Sequence, residues 1–308
     1  MKNINYNFDD KCQICDKVLI PYTFIDKEYV KNFPTGRIRY AVSHLYCPMC
    51  GKKVCVDDSF DGIWFYPMSK IGITEAGDGG LDFSWIDKLY DINIIITKHL
   101  TSKNEKLLNA LVNNADKIIL HCTCTGYGKT LIEPNVPTPN EVYGGVSKLI
   151  ALGFPVSHIV LRTDPIIPTN KGIECVEKVW KQFSTLGIER CRLSIIDMYP
   201  HVKKRFQEVC GKVPFESFVA PQNMILQVNQ AIQKNISLYK HFESCAENIG
   251  ERIGCISKRD FDVLGLPFDN ETGGFQRKGC LCVAGKTELL NNKKRCTSGC
   301  IYCYWHDK

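Results

Sequence analysis

Apolar and polar positions fall into two regimes that meet near residue 69. Beyond that point, short apolar runs such as residues 92–96 (INIII) and 117–120 (KIIL) alternate with stretches whose apolar residues recur at helical spacing. A continuous apolar run suits a parallel strand buried on both faces, whereas the 3.6-residue period marks a helix packed on one side. The pattern predicts strands over Lys70–Thr74, Asn93–Lys98, Lys117–Thr123, His158–Thr163, Arg192–Asp197 and Ser237–Glu243. Helices are predicted between them, over Phe83–Tyr90, Glu105–Ala115, Asn140–Leu152, Ile173–Gly187, His201–Cys210 and Pro221–Asn235. Six βα units in succession point to an α/β fold, a partial or full (β/α) barrel, rather than an open doubly wound sheet. Such a barrel gathers function at the C-terminal ends of its strands. Those ends carry Glu75, Asp78, Thr97-Lys98, residues 125–129 (TGYGK), Arg162-Thr163-Asp164, Asp197-Met198-Tyr199 and Glu243.

Cysteine changes the picture at both ends. The 308 residues include 17 cysteines. No apolar run approaches the roughly 18 residues a membrane span needs. The first residues lack the apolar core and cleavage site of a signal peptide, so a cytoplasmic location is expected. Thiols in a reducing compartment are better read as metal ligands than as disulfides. Cys12 and Cys15, with Cys47 and Cys50, form two Cys-x-x-Cys knuckles around strand-like pieces. Such knuckles complete a four-sulfur tetrahedron of the zinc-ribbon kind, and a rubredoxin-type iron has the same ligands. The chain thus divides into a ribbon-like unit (1–65), the barrel (66–249) and a cysteine-rich tail (250–308).

In that tail Cys296, Cys300 and Cys303 follow the spacing C-x3-C-x2-C. Three thiolates so spaced can hold three corners of a [4Fe–4S] cube and leave the fourth iron open. A zinc site completed by His306 or another cysteine is the alternative on spacing alone. Four further cysteines, Cys245, Cys255, Cys280 and Cys282, suffice for an auxiliary [4Fe–4S] cluster or a second zinc. Cys122 and Cys124 share one strand face and read as packing, as do Cys175, Cys191 and Cys210. The formal charge of +6 falls to about +1 once three such anionic centres are counted, so charge is a poor argument for nucleic acid. Two short basic runs, Lys203-Lys204-Arg205 and Lys293-Lys294-Arg295, read as solvated faces.

The run Cys296-x3-Cys300-x-Tyr302-Cys303-Tyr304 resembles the cluster loop of radical SAM enzymes, spore photoproduct lyase in particular. Further stretches are similar to an uncharacterised spore-photoproduct-lyase-like family: Thr97-Lys98, residues 125–128 and 133–137, 162–166, 245–247, 254–256, and Cys280-Leu281-Cys282. The resemblance covers roughly residues 69–305 and leaves the ribbon outside. It implies a barrel with a C-terminal cluster loop, reductive cleavage of S-adenosylmethionine (SAM) to a 5′-deoxyadenosyl radical, and hydrogen abstraction from a substrate. It also implies a reductant such as flavodoxin or ferredoxin. By chemistry and position, Lys98 or Arg162 would meet the SAM carboxylate, and Asp164 its ribose or amino group. Asp78, Gly79 and Gly80 would form the turn that holds the amino group. Tyr127, Asp197 and Tyr199 are the candidates for substrate contact or hydrogen donation. The substrate stays open between nucleic acid or nucleoside, a small metabolite and a peptide. The rivals are a non-catalytic zinc adaptor and an iron–sulfur protein of electron transfer or redox sensing.

Overall fold

The computed structural model describes residues 70–268, 270, 272, 279–290 and 296–305, together with strand residues 20–21, 23–24, 37–46 and 53–66. Strands β1 (Ile20–Pro21), β2 (Thr23–Phe24), β3 (Arg37–Tyr46) and β4 (Lys53–Tyr66) form an antiparallel sheet in the order β1-β3-β4-β2. The four cysteines of the expected ribbon, Cys12, Cys15, Cys47 and Cys50, lie outside the described residues.

The rest winds as β5 (Ile71–Ile73), β6 (Ile92–Thr97), α1 (Glu105–Asn113), β7 (Ile118–Thr123), α2 (Pro139–Ala151), β8 (Ile159–Ile166) and α3 (Asn170–Ser184). It continues through β9 (Arg190–Ile195), α4 (Pro200–Cys210), α5 (Gln222–Lys234), β10 (His241–Ser244), β11 (Glu251–Arg252), α6 (Lys258–Val263) and β12 (Lys286–Glu288). All eight strands from β5 onward form one parallel sheet in the order β11-β10-β9-β8-β7-β6-β5-β12.

From β5 to β11 strand order follows chain order, which is the winding of a (β/α) barrel, but β12 joins beside β5 and the sheet does not close. Full closure is therefore corrected to an open eight-stranded sheet. Its two edges are the short tail strands β11 and β12, which pair with β10 and β5 and not, among the described residues, with each other.

Alternation along the strands explains the two layers. Ile95, Leu120, Cys122, Leu161, Cys191 and Leu193 face α1–α5 in the main core, with Leu111, Val146, Trp180 and Phe206 from the helices. Cys122 and Cys124 are buried there, as packing groups rather than lumen ligands. On the opposite face Ile71, Ile73, Ile94, Ile119 and Val160 meet Ile256, Phe261 and Val283 of the tail. The tail thus fills the concave side that a closed barrel would pack with its own strands.

Two of the predicted elements change. The expected helix over Phe83–Tyr90 is only a 3-10 turn, Ile86–Lys88. It is held by tertiary bonds instead: Trp85 Nε1 donates to the Gly79 carbonyl at 2.8 Å and Lys88 Nζ to that of Leu289 at 2.9 Å. The strand expected from Ser237 begins only at His241, where pairing to Arg190 starts, after a 3-10 turn over Ile236–Leu238.

Candidate metal centre

The terminal cysteine loop docks against the segments that follow β6 and β7, at their C-terminal ends. Asn135 N donates to the Ser298 carbonyl at 3.3 Å, Asn135 Nδ2 to that of Thr297 at 2.9 Å, and Ile301 N to that of Ile132 at 3.1 Å. His99 Nε2 lies 2.9 Å from Ser298 Oγ, and Arg205 of α4 donates to the Cys303 carbonyl. Cys300 is buried, while Cys296 and Cys303 are half-buried. Beside Cys300, Lys98 pairs with the buried Glu133 at 3.0 Å, lies 5.4 Å from the Tyr302 ring centroid, and Tyr302 donates its hydroxyl to Glu133. Burial works against the Lys98 ammonium, yet Glu133 and Cys300 outweigh it and hold its pKa above the usual lysine value. Burial pushes the Cys300 thiol up to about 12, with Lys98 acting in the opposite direction. A cation at this position is what a buried thiolate needs.

Asp78 and its glycines secure the same strand end. Asp78 Oδ1 accepts from Thr97 Oγ1 at 2.6 Å and Gly80 N at 2.8 Å, and Oδ2 accepts from Lys98 N at 2.8 Å. A Cβ on Gly80 would stand 2.5 Å from Thr97 Oγ1, so only glycine lets the turn lie this close to β6. A cleft of about 550 Å³ opens next to this turn, lined by Gly77, Asp78, Phe83, Lys106, Cys296 and Thr297 among others.

The second cysteine group lies where β10, the segment after β11 and the approach to β12 converge. Cys245, Cys280 and Cys282 are buried and Cys255 is half-buried. The sulfurs of Cys245, Cys255 and Cys282 all fall within 4.8 Å of one another, so this group can hold a metal. Hydrogen bonds from Cys255 and Cys282 pull the Cys245 thiol down to about 3. Among the described residues no other set of three metal-ligating side chains is as compact, so the thiols of Cys296, Cys300 and Cys303 do not close to that spacing.

Between the two groups, on the inner face of the sheet, Arg162 pairs with Asp164 and Lys286 Nζ with Glu75 at 2.9 Å. His121 Nε2 and Thr123 Oγ1 are buried on the same face and have no hydrogen-bond partner among the described residues. Burial lowers the His121 pKa far below the usual value, with Arg192 and Arg162 adding to it, so the ring is neutral.

A family model described as a domain of unknown function (DUF1848) matches residues 88–305. The chain belongs to the DUF1848 family. No curated protein matches it. The DUF1848 match takes in both C-terminal cysteine groups and every strand from β6 to β12, and it leaves residues 1–87 outside, β5 and the Asp78 turn among them.

Within the DUF1848 domain the three residues singled out for substrate contact part company. Tyr199 stacks on Tyr304 of the terminal loop at 5.8 Å and meets Phe218 edge-on at 5.0 Å. Asp197 is half-buried between β9 and α4, its carbonyl accepting from Tyr199 N at 3.1 Å. Tyr127 is buried in the helix-side core, its hydroxyl 2.8 Å from where a Cβ on Gly172 of α3 would stand. Glu243, expected at the mouth by its strand-end position, is fully buried in an arginine network. The basic run on α4 is engaged within the chain: Lys203 faces Glu216 at 3.6 Å, Lys204 faces Glu208 at 3.8 Å, and Arg205 holds Cys303. The second run, residues 293–295, lies outside the described residues. Among the described residues no helix is long and apolar enough to cross a membrane.

Sequence reasoning did not assign a role to Glu133 or Tyr302. Both stand in runs already noted for the family resemblance, yet nothing in the local sequence shows that one accepts the other's proton-bearing oxygen beside Lys98.

Proposed function

We propose that the DUF1848 domain is a radical SAM-type enzyme whose cluster is held by Cys296, Cys300 and Cys303. The observation that supports it most is the docking of this C-terminal loop onto the C-terminal ends of parallel strands, beside a cleft that Cys296 itself lines. The donor set fits: three thiols from one short loop, spaced more widely than a single ion requires, with a cation against the buried one. A [4Fe–4S] cluster held there would supply one-electron reductive chemistry toward SAM and, through it, hydrogen abstraction from a substrate.

The chain's own residues do the rest. Lys98 would balance a cluster-bound Cys300 thiolate, and Glu133 fixes both Lys98 and the Tyr302 hydroxyl. Asp78 holds the turn that forms one wall of the cleft, leaving Phe83 and Lys106 to line the other side, where the ammonium stands 4.5 Å from the ring. Tail residues cover the inner face of the sheet with apolar packing. Arg162 and Asp164 stand at the end of β8 as partners for the polar parts of SAM or substrate. A reductant protein is the electron source this chemistry calls for, and nucleic acid, nucleoside, metabolite and peptide remain substrate classes to be tested.

Anaerobic reconstitution with iron and sulfide, followed by reduction with SAM, tests the reading. Brown protein that forms 5′-deoxyadenosine, with both lost in Cys300→Ala at unchanged far-UV circular dichroism, is the expected result. Colourless protein with zinc alone would overturn it in favour of an adaptor, and SAM-independent iron would favour electron transfer.

A further inference from the structure

The two C-terminal cysteine groups differ in a way that bears on what each can hold. Cys245 Sγ stands 3.6 Å from Cys282 Sγ and 3.8 Å from Cys280 Sγ. In a tetrahedral four-thiolate site, metal–sulfur bonds of about 2.3 Å set the sulfurs about 3.8 Å apart. A cube places each thiolate on its own iron, on the outside of the cube, so its four sulfurs stand well beyond contact distance. The sulfurs of Cys245, Cys255 and Cys282, all within 4.8 Å of one another, are therefore spaced for a single ion, and Cys280, outside that trio but 3.8 Å from Cys245, stands beside it as the fourth thiol. These separations are far beyond the roughly 2.05 Å of a disulfide bond.

Backbone geometry agrees. Cys255 N donates to Cys282 Sγ at 3.2 Å and Leu281 N to Cys245 Sγ at 3.4 Å, so main-chain N–H groups are already aimed at sulfur. Such donors stabilise thiolate over thiol. Four thiolates on a divalent ion leave a charge of −2, and cations stand close: Lys286 acts on Cys282 and Cys255, and Arg162 on Cys255. No ligand position is left open for a substrate.

Placement in the fold suggests what the ion does. Cys245 directly follows β10, Cys255 follows β11 at one edge of the sheet, and Cys280 and Cys282 lead into β12 at the other. An ion bound to all four ties the segments flanking both open edges together across the inner face. It would stand in for the hydrogen bonds that barrel closure would have made.

We propose that Cys245, Cys255, Cys280 and Cys282 form a mononuclear four-thiolate zinc site that staples the tail across the open sheet. Zinc is named over ferrous iron because thiolate sites follow the Irving–Williams order. The assignment is independent of the cluster proposed for Cys296, Cys300 and Cys303, and the test keeps the two apart. A full-length chain carrying Cys296→Ala, Cys300→Ala and Cys303→Ala lacks the proposed cluster and retains this site. Purified anaerobically without chelator, it should lose one zinc per chain when Cys282→Ser is added. Its X-ray absorption should show sulfur neighbours and no metal–metal scattering. Unchanged zinc in the Cys282→Ser chain, mononuclear iron, or iron with short iron–iron distances would overturn the proposal. Should the Cys282→Ser chain fail to fold, peptide-resolved alkylation of the parent decides. The four thiols should become reactive together as a chelator withdraws zinc, with no acid-labile sulfide released. Thiols that react before chelation, or sulfide release from this chain, would overturn it equally.

Discussion

Lys98 and Glu133 show how much a single buried pair can decide at the terminal cysteine loop. Their side chains are 16% and 1% exposed, so neither charge has much water to fall back on. A double-mutant cycle of Lys98→Met and Glu133→Gln, read by urea unfolding, should give a coupling of about 0.5–3 kcal/mol, whereas a solvated pair would give almost none. Tyr302 belongs to the same unit, because its hydroxyl donates to Glu133. Tyr302→Phe should accordingly lower stability without altering the spacing of the cysteines around it. The residue types at these positions were readable, but their pairing was not: Glu133 and Tyr302 stand 169 positions apart.

At the level of elements, α2 carries two adjacent glycines with opposite demands. A Cβ on Gly145 would stand 2.4 Å from the Leu100 carbonyl oxygen, backbone that cannot swing aside, while a Cβ on Gly144 meets nothing. Gly145→Ala should destabilise by about 1–3 kcal/mol and disturb the turn that follows Lys98. Gly144→Ala should raise stability by up to about 1 kcal/mol through helix propensity. Thermal unfolding of both variants checks the pair, and equal effects would refute the packing argument. The strand and helix series itself was legible because continuous apolar runs and 3.6-residue periods are local properties. Phe83–Tyr90 was misread for the complementary reason: its amphipathic pattern is real, but Trp85 and Lys88 are anchored to Gly79 and Leu289 rather than to a helical ladder.

The whole molecule is held together on its inner face by charge as well as by apolar packing. Glu243 takes Arg190 Nε at 3.1 Å and Arg192 Nη2 at 2.5 Å, and it also pairs with Arg259 of α6. Arg190 Nη1 lies 2.8 Å from the buried Asp260 of α6, a close ionic contact without hydrogen-bond alignment. The network fastens the tail to β9 and β10. Burial raises the Glu243 pKa, but Arg192 and Arg190 outweigh it and hold the carboxyl below its ordinary value of 4.5. A depressed folded-state pKa means that the stabilisation is complete above about pH 4.5 and is lost as pH falls through the folded value. Amides around Phe261 and Val283 should therefore lose hydrogen-exchange protection below that pH before those of β7 do. Glu243→Ala, which strands buried arginines, should cost about 3–5 kcal/mol at neutral pH. The sequence gives no local sign of this network, because the partners of Arg190 and Arg192 lie more than fifty positions away.

The sequence alone determined the alternation of strands and helices and the spacing of both C-terminal cysteine groups. Each of these is written within a few neighbouring residues, where backbone geometry and side-chain period act directly. Tertiary structure decided that the sheet stays open, that the tail fills its concave face, and that Glu243 is a buried anchor rather than a mouth residue. It also brought Cys245 to Cys280 and Cys282, and seated Cys300 beside Lys98. Those outcomes depend on contacts between segments far apart along the chain, which form only once the strands have fixed which faces remain to be covered.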